Sequence, residues 1–209
     1  SDIYMPDGGQ NRLFRPNWFR AFRFIRLDIQ TDNEPLEIID FYNQKSEYPL
    51  KLEAKFETNN PYLNDLMEVG WRTTFLCDQD LFMSDAYYEQ MQYLGDSRIQ
   101  SEATVLFSAN DDLTRQMLRQ GDWSRIPEGI TKGSYPDGLN QVIPIYSLVW
   151  VDMIYDHMMW AGDKSFTSEF DLGIHTVLEW YNKRILGNGL LGPIGWWAYV
   201  DWCRQWESG

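Results

Sequence analysis

The stretch CDQDLFMSDAYYEQMQYLGDSRIQ, residues 77–100, gathers the side chains best suited to chemistry. Asp78, Asp80, Asp85, Glu89 and Asp96 lie close together there, with Tyr87, Tyr88 and Tyr93 among them. Carboxylates this close repel one another, and repulsion keeps one of them protonated towards neutral pH. A protonated carboxyl facing a leaving oxygen is a general acid, while ionised neighbours hold sugar hydroxyls. Together these are the roles a glycosidase requires. A plain solvated acidic loop accounts for the same composition and stands as the alternative. A calcium loop fits less well, because the D-x-[DN]-x-[DN]-G spacing is absent.

Two further stretches bear on a site. In GPIGWWAYVDWCRQW, residues 192–206, Trp196, Trp197, Trp202 and Trp206 surround Asp201. Flat aromatic faces beside one carboxylate suit a sugar, whose C–H face stacks while its hydroxyls donate to the acid. Tryptophans that merely pack helices explain the pattern equally well. In GSYPDGLNQVIPIYSLVW, residues 133–150, Asp137 and Trp150 are candidates to line a pocket, although such residues more often cap and pack. The 10 tryptophans and 16% aromatic content fit either a rich core or a carbohydrate site.

The formal net charge of −13 argues against a nucleic-acid partner, which calls for clustered lysine and arginine. Cys77 and Cys203 allow one disulfide in principle, and His157 and His175 add no ligand spacing, so neither a metal nor another cofactor is expected. No apolar run approaches bilayer length, so no membrane span is expected. The opening SDIYMPDGG lacks the anatomy of a signal peptide.

The elements that must position these residues change character along the chain. Residues 21–30, AFRFIRLDIQ, alternate as a strand does, with a phase slip that suggests a bulge. The turn-rich TDNEP follows, and residues 36–42 form another β-like run. Two or three strands make no stable sheet alone, so they are expected to end a larger β-domain. From Asn60, a helix cap followed by Pro61, the period becomes helical. Leu63, Leu66, Met67, Gly70, Trp71 and Thr74 share one face. Ile99, Ala103, Leu106 and Phe107 form a second stripe, and Leu113, Met117 and Leu118 a short third. Residues 143–160 read as a long apolar helix ending at Gly162, and Phe170, Ile174, Val177, Leu178 and Tyr181 as another stopping near Gly187. Helices separated by loops at 81–96, 121–141 and 187–209 suit an α/α barrel or toroid. Fewer helices are legible than such a barrel contains, which points to a piece of a longer chain.

Against this background the run at 77–100 resembles the signature segment of glycoside hydrolase family 78, the α-L-rhamnosidases. Many members read D-C-P-x-x-E, then six residues, then D preceded by G. Here Tyr87-Tyr88-Glu89-Gln90 and Tyr93-Leu94-Gly95-Asp96-Ser97-Arg98 match the form common in Bacteroidetes-like members. FRFIRLDI, EVGWRTT, IPIYSLVW and WWAYVDW resemble the family in the same order. The resemblance implies a mainly α fold: part of an (α/α)6 barrel over residues 56–209, preceded over residues 1–55 by the C-terminal strands of a β-sandwich domain and a linker. It implies inverting hydrolysis of terminal α-L-rhamnosyl bonds in a rhamnose-containing glycan or glycoside, with no cofactor, by an enzyme exported to the periplasm or beyond. By that resemblance Glu89 is the general acid and Asp96 binds sugar hydroxyls. Tyr93 lines the subsite, and Trp150 and Trp202 fall where pocket tryptophans are expected, with Asp201 beside them.

The chain departs from the family where D-C-P becomes Ser84-Asp85-Ala86. Either Asp85 reaches the same hydroxyls or the sugar subsite is altered. Inversion also requires a base, roughly 6.5–9.5 Å from the acid. The family's base is a glutamate on a later loop, expected beyond residue 209, so residues 1–209 alone are expected to be inactive. Two other functions stay in play: a catalytically impaired carbohydrate-binding barrel, motivated by Ser84, and an all-α interaction module with buried tryptophans.

Overall fold

The computed structural model describes residues 2–206, in two compact units, Ser1–Ser46 and Glu47–Gly209. The strands expected within residues 21–42 do not form: among the described residues of the first unit no strand is present. The alternating apolar side chains of this stretch are largely exposed. Phe24 is 86% exposed and Ile39 72% exposed. Local ion pairs, Arg12 with Asp7 and Arg20 with Asp2, and a Tyr4–Phe14 stack supply its internal contacts.

The second unit is helical. Helix α1 spans Pro61–Cys77 and starts as its sequence dictates: the Asn60 side chain accepts from the Tyr62 N–H and Pro61 fills the first position. Helices α2, Leu94–Ser108, and α3, Asp112–Trp123, follow. Helix α4, Pro144–Ala161, stops at Gly162 in the left-handed conformation, whose N–H returns to the Met158 carbonyl. The short α5, Lys164–Thr167, and a 3-10 turn, Ser168–Phe170, lead into α6, Asp171–Asn182. Helix α6 thus ends before Gly187, because a turn closed by Arg184 N–H to the Tyr181 carbonyl takes over.

One core joins these helices. Leu113, Met117 and Leu118 of α3 pack with Trp150, Met153 and Ile154 of α4 and with Phe166, Phe170 and Val177. Burying each large apolar side chain contributes roughly 1.5–3 kcal/mol. Helix α2 behaves otherwise. Its expected apolar stripe is largely outside, with Ile99 and Leu106 each 73% exposed. Phe107 of that stripe meets α1, its ring 5.9 Å from that of Trp71. The buried residues are Leu94, Ser97, Ser101, Thr104 and Ser108. They recur every three or four positions, which defines one helical face as surely as leucines would. Small side chains there let neighbouring elements approach α2 closely. Their hydroxyls turn back on their own helix, as with Ser97 to the Tyr93 carbonyl (2.6 Å) and Ser108 to the Thr104 carbonyl (2.6 Å), so none is stranded. Arg98 ties α2 to α4 through Asp156 (2.8 Å) and Asp152 (3.1 Å).

Behind the 77–100 loop, Asp78 is fully buried. Thr104 Oγ1 lies 2.5 Å from Asp78 Oδ2 and 2.8 Å from the Gln100 carbonyl. A hydroxyl has one hydrogen, and a carbonyl only accepts. Thr104 Oγ1–H donates to Asp78 Oδ2, with the Gln100 carbonyl as a second acceptor within reach. Burial pushes the Asp78 carboxyl up to about 7, against the smaller opposing effect of its bond with Thr104.

Candidate active site

Glu89 sits on a tight loop whose shape is set by Asp85. Asp85 Oδ1 accepts the backbone N–H groups of Tyr87 (2.8 Å), Tyr88 (2.5 Å) and Glu89 (3.1 Å). The Gln90 N–H donates to the Asp85 carbonyl (2.9 Å), and the Ser84 N–H to the Met91 carbonyl (2.8 Å). Burial raises the pKa of Asp85, but the three backbone donors outweigh it and hold the carboxyl below its usual value. Asp85 is therefore an ionised clamp on the backbone that leads to Glu89. Ser84 is buried, and its hydroxyl donates to Gln100 Oε1 (3.2 Å). The serine at the family's aspartate position thus belongs to the scaffold.

The N-terminal ends of α2 and α4 supply the next layer. Asp96 lies in the first turn of α2, and Tyr93 directly precedes that helix. Tyr146, in the first turn of α4, meets the Tyr93 ring edge-on at 6.5 Å. Tyr146 also covers Gly95 so closely that a side chain there would collide with its ring. From the third loop, Tyr199 meets Tyr146 at 6.1 Å, and Trp197 and Trp202 meet Tyr199 at 4.8 and 5.5 Å. Asp201 caps this aromatic group, accepting from the Trp202 N–H (2.7 Å) and, more loosely, from the Tyr199 hydroxyl (3.4 Å). Asp137 accepts from Ser134 and from the Leu139 N–H (2.8 Å), holding the neighbouring turn.

The charges of these groups are felt across the cluster. Lost hydration, then the charges of Asp96 and Asp85, raise the pKa of Glu89. Lost hydration, then the charge of Asp201, raise that of Asp96. Both residues remain solvent-accessible, so protein atoms crowding the carboxyls, rather than full enclosure, account for the lost hydration. Burial also raises the hydroxyl pKa values of Tyr93, Tyr146 and Tyr199, which keeps them as neutral donors. Chemically, the cluster offers a carboxyl biased towards its acid form, anionic acceptors for hydroxyls, and a wall of aromatic faces.

Of the residues picked from sequence, Glu89, Asp96, Tyr93, Asp201 and Trp202 come together here. Trp150 does not. It is 0% exposed, donates Nε1–H to the Leu118 carbonyl (2.9 Å) and packs edge-on against Phe170. No sugar reaches a ring enclosed on every side, so the expectation that Trp150 lines the pocket is corrected: it is a core residue. Tyr146, one turn earlier on α4, stands at the site instead. Tyr146 and Tyr199 were not singled out from the sequence. The one available hint was that Tyr146 and Trp150, four apart, share a face of α4. Beyond Tyr199 an apolar recess of about 500 Å³ opens among Ile145, Leu148, Tyr181 and Leu191. Cys77 and Cys203 are both free thiols. Among the described residues no helix is long and apolar enough to cross a membrane.

Comparison with known proteins adds an independent line. The model of the bacterial alpha-L-rhamnosidase 6 hairpin glycosidase domain matches residues 51–208. The crystal structure of a GH78 family rhamnosidase from Bacillus sp. GL1 is similar with a TM-score of 0.70 at 24% identity, over 75% of this chain and 16% of that one. A rhamnosidase from Klebsiella oxytoca, solved with rhamnose bound, is similar with a TM-score of 0.64 at 22% identity, over 76% of this chain and 31% of that one. At these identities the likeness is one of fold, and the chain spans less than a third of either protein. A search of the curated proteins finds no match.

Proposed function

The chain belongs to the bacterial α-L-rhamnosidase six-hairpin glycosidase family, and we propose that it serves an inverting hydrolase of terminal α-L-rhamnosyl bonds with Glu89 as general acid. The observation that carries this reading is the placement of Glu89: on a loop clamped by Asp85, beside Asp96, with its carboxyl pKa raised. An acid must hold its proton near the working pH, and this carboxyl is biased to do so. Asp96 and Asp201 then receive sugar hydroxyls, and Tyr93, Tyr199 and Trp202 form the stacking wall. Rhamnose bound to the Klebsiella oxytoca relative supports the choice of sugar. The base that activates water is assigned to a residue beyond 209, so residues 1–209 alone release no rhamnose. Export to the periplasm or the medium, where rhamnosylated polysaccharide is met, completes the reading, and cell fractionation checks it.

The test is hydrolysis of α-L-rhamnosides by the full-length polypeptide, with the first-formed anomer followed by NMR. Inversion gives β-L-rhamnose first. Appearance of the α-anomer first would overturn the mechanism, and turnover by residues 1–209 alone would overturn the placement of the base.

A catalytically impaired, sugar-binding barrel is the second reading. It is favoured by one feature: Ser84 is bonded to Gln100 and Asp85 is committed to the loop, so neither supplies the family's sugar-binding aspartate. It gives calorimetric binding of rhamnose by the full-length polypeptide with no turnover.

A further inference from the structure

Tyr87 and Tyr88 stand immediately before Glu89, and the site as assembled above makes no use of them. Tyr88 is 84% exposed and Tyr87 58% exposed. Their rings meet edge-on with centroids 4.6 Å apart. Free aromatic rings in water usually mark a contact surface, since water gains nothing from their faces. Their backbone is not loose: the N–H of each is held by Asp85 Oδ1, and the Gln90 side chain closes the loop onto the Ala86 carbonyl at 3.0 Å. The backbone that carries the two exposed rings is thus held before anything binds, which lowers the entropic cost of binding.

We infer that the Tyr87–Tyr88 pair is the platform for the leaving group, and that it selects rhamnosides whose aglycone or next sugar presents a flat ring face. The inference rests on Glu89 being the general acid. A general acid delivers its proton to the leaving oxygen, so the surface next to the acid lies on the leaving-group side of the scissile bond. On the proposed function the rhamnosyl side is already served by Asp96, Tyr93, Tyr199 and Trp202, which leaves Tyr87 and Tyr88 for the other side. Ring faces at Tyr87 and Tyr88 therefore meet what departs, not what stays. Methyl rhamnoside, with no ring to stack, gains nothing from them.

The experiment compares the full-length polypeptide with Tyr87→Ala/Tyr88→Ala, using methyl, phenyl and rhamnosyl-glucose α-L-rhamnosides as probes. Both kcat/KM and calorimetric affinity are read. Stacking of this kind is worth roughly a three- to tenfold preference. The wild type is expected to bind the phenyl glycoside and the disaccharide better than the methyl glycoside by that order, and to turn over the disaccharide better than the methyl glycoside by that order; phenyl turnover is left out of the comparison, because phenoxide leaves readily whatever the platform does. The double variant loses the preference while methyl rhamnoside and free rhamnose bind as before. Tyr88→Phe, which keeps the face and drops the hydroxyl, retains the preference. Equal loss on all three probes would show a merely structural role and overturn the inference, as would an unchanged preference. If the sugar binds but the preference survives the variant, the platform alone is wrong. If no rhamnoside binds or reacts, the rhamnosidase reading and the platform fall together.

Discussion

Lost hydration first, and then the charge of Asp96, raise the pKa of Glu89. Replacing Glu89 with Gln keeps the shape and removes the proton donor. Loss of a general acid costs typically 10²–10⁴-fold, so we expect kcat/KM on a rhamnosyl disaccharide to fall by about that factor. An aryl rhamnoside with a good leaving group should fall far less, and unaltered turnover of the disaccharide would remove Glu89 from the mechanism. Asp96→Asn tests the electrostatics separately. The negative charge of Asp96 is among the causes that raise the pKa of Glu89. Without it Glu89 ionises more readily, so the basic limb of the kcat/KM profile should move to lower pH, whatever happens to its height. Asp85 offers a third comparison. Asp85→Asn keeps an acceptor for the three N–H groups, whereas Asp85→Ala leaves Tyr87, Tyr88 and Glu89 unclamped. If Asp85 works as a clamp, Asn should retain most of the activity and Ala should lose it. The sequence showed the crowding of carboxylates, and only the family resemblance picked Glu89 from among them. The sequence did not show which of them is spent on backbone N–H groups, because those donors are invisible in a list of side chains.

Helix α2 shows where reading by hydrophobicity stops. Ile99 and Leu106 carry the apolar signal, yet the buried face is Ser97, Ser101, Thr104 and Ser108. Close approach of two helices selects for small size, and hydroxyls satisfied on their own helix can be buried cheaply. Apolar periodicity alone therefore assigns the wrong face. By contrast the start of α1 at Asn60-Pro61 and the stop of α4 at Gly162 were legible, since both are set by local chemistry. The buried Asp78 carboxyl, bonded to Thr104 on the buried face of α2, gives the packing of that helix a pH dependence. The Asp78 carboxyl is pushed from 3.8 to about 7 on folding. A raised folded pKa means the folded protein keeps a proton that the unfolded chain releases. The stabilisation is complete below the unfolded value of 3.8 and declines as pH rises through about 7. Each tenfold gain in proton affinity on folding is worth about 1.4 kcal/mol, so the effect is a few kcal/mol in order of magnitude. Asp78→Asn has no proton to lose. Urea unfolding between pH 4 and pH 8 should show a falling stability in the wild type and a markedly flatter profile in the variant. Parallel profiles would mean that Asp78 is ionised in the folded protein.

Across the whole helical unit, Trp150 is the piece that three helices share. Its Nε1–H is bonded to the Leu118 carbonyl of α3, and its ring packs on Phe170 at the head of α6. Glycines lie against the ring from both sides: a side-chain carbon at Gly121 of α3 would collide with it, and one at Gly173 of α6 would come within 2.7 Å of it. The sequence offered Trp150 as a sugar platform and gave no sign of this clamp, because the contacts join residues far apart in the chain. The clamp makes a prediction that separate contacts would not. Gly121→Ala forces a methyl into the ring and should cost about 1–3 kcal/mol, the usual range for overpacking. Trp150→Phe shrinks the ring, leaves the Leu118 carbonyl without its donor and opens a void, and should cost a comparable or larger amount. Together they should cost less than their sum, because the smaller phenyl ring vacates the space the new methyl occupies. A coupling of about 0.5 kcal/mol or more in a double-mutant cycle, read from urea unfolding of the full chain, is the expected result. Strict additivity would mean that Gly121 and Trp150 do not meet, and that the packing of α3 against α4 is looser than this structure has it.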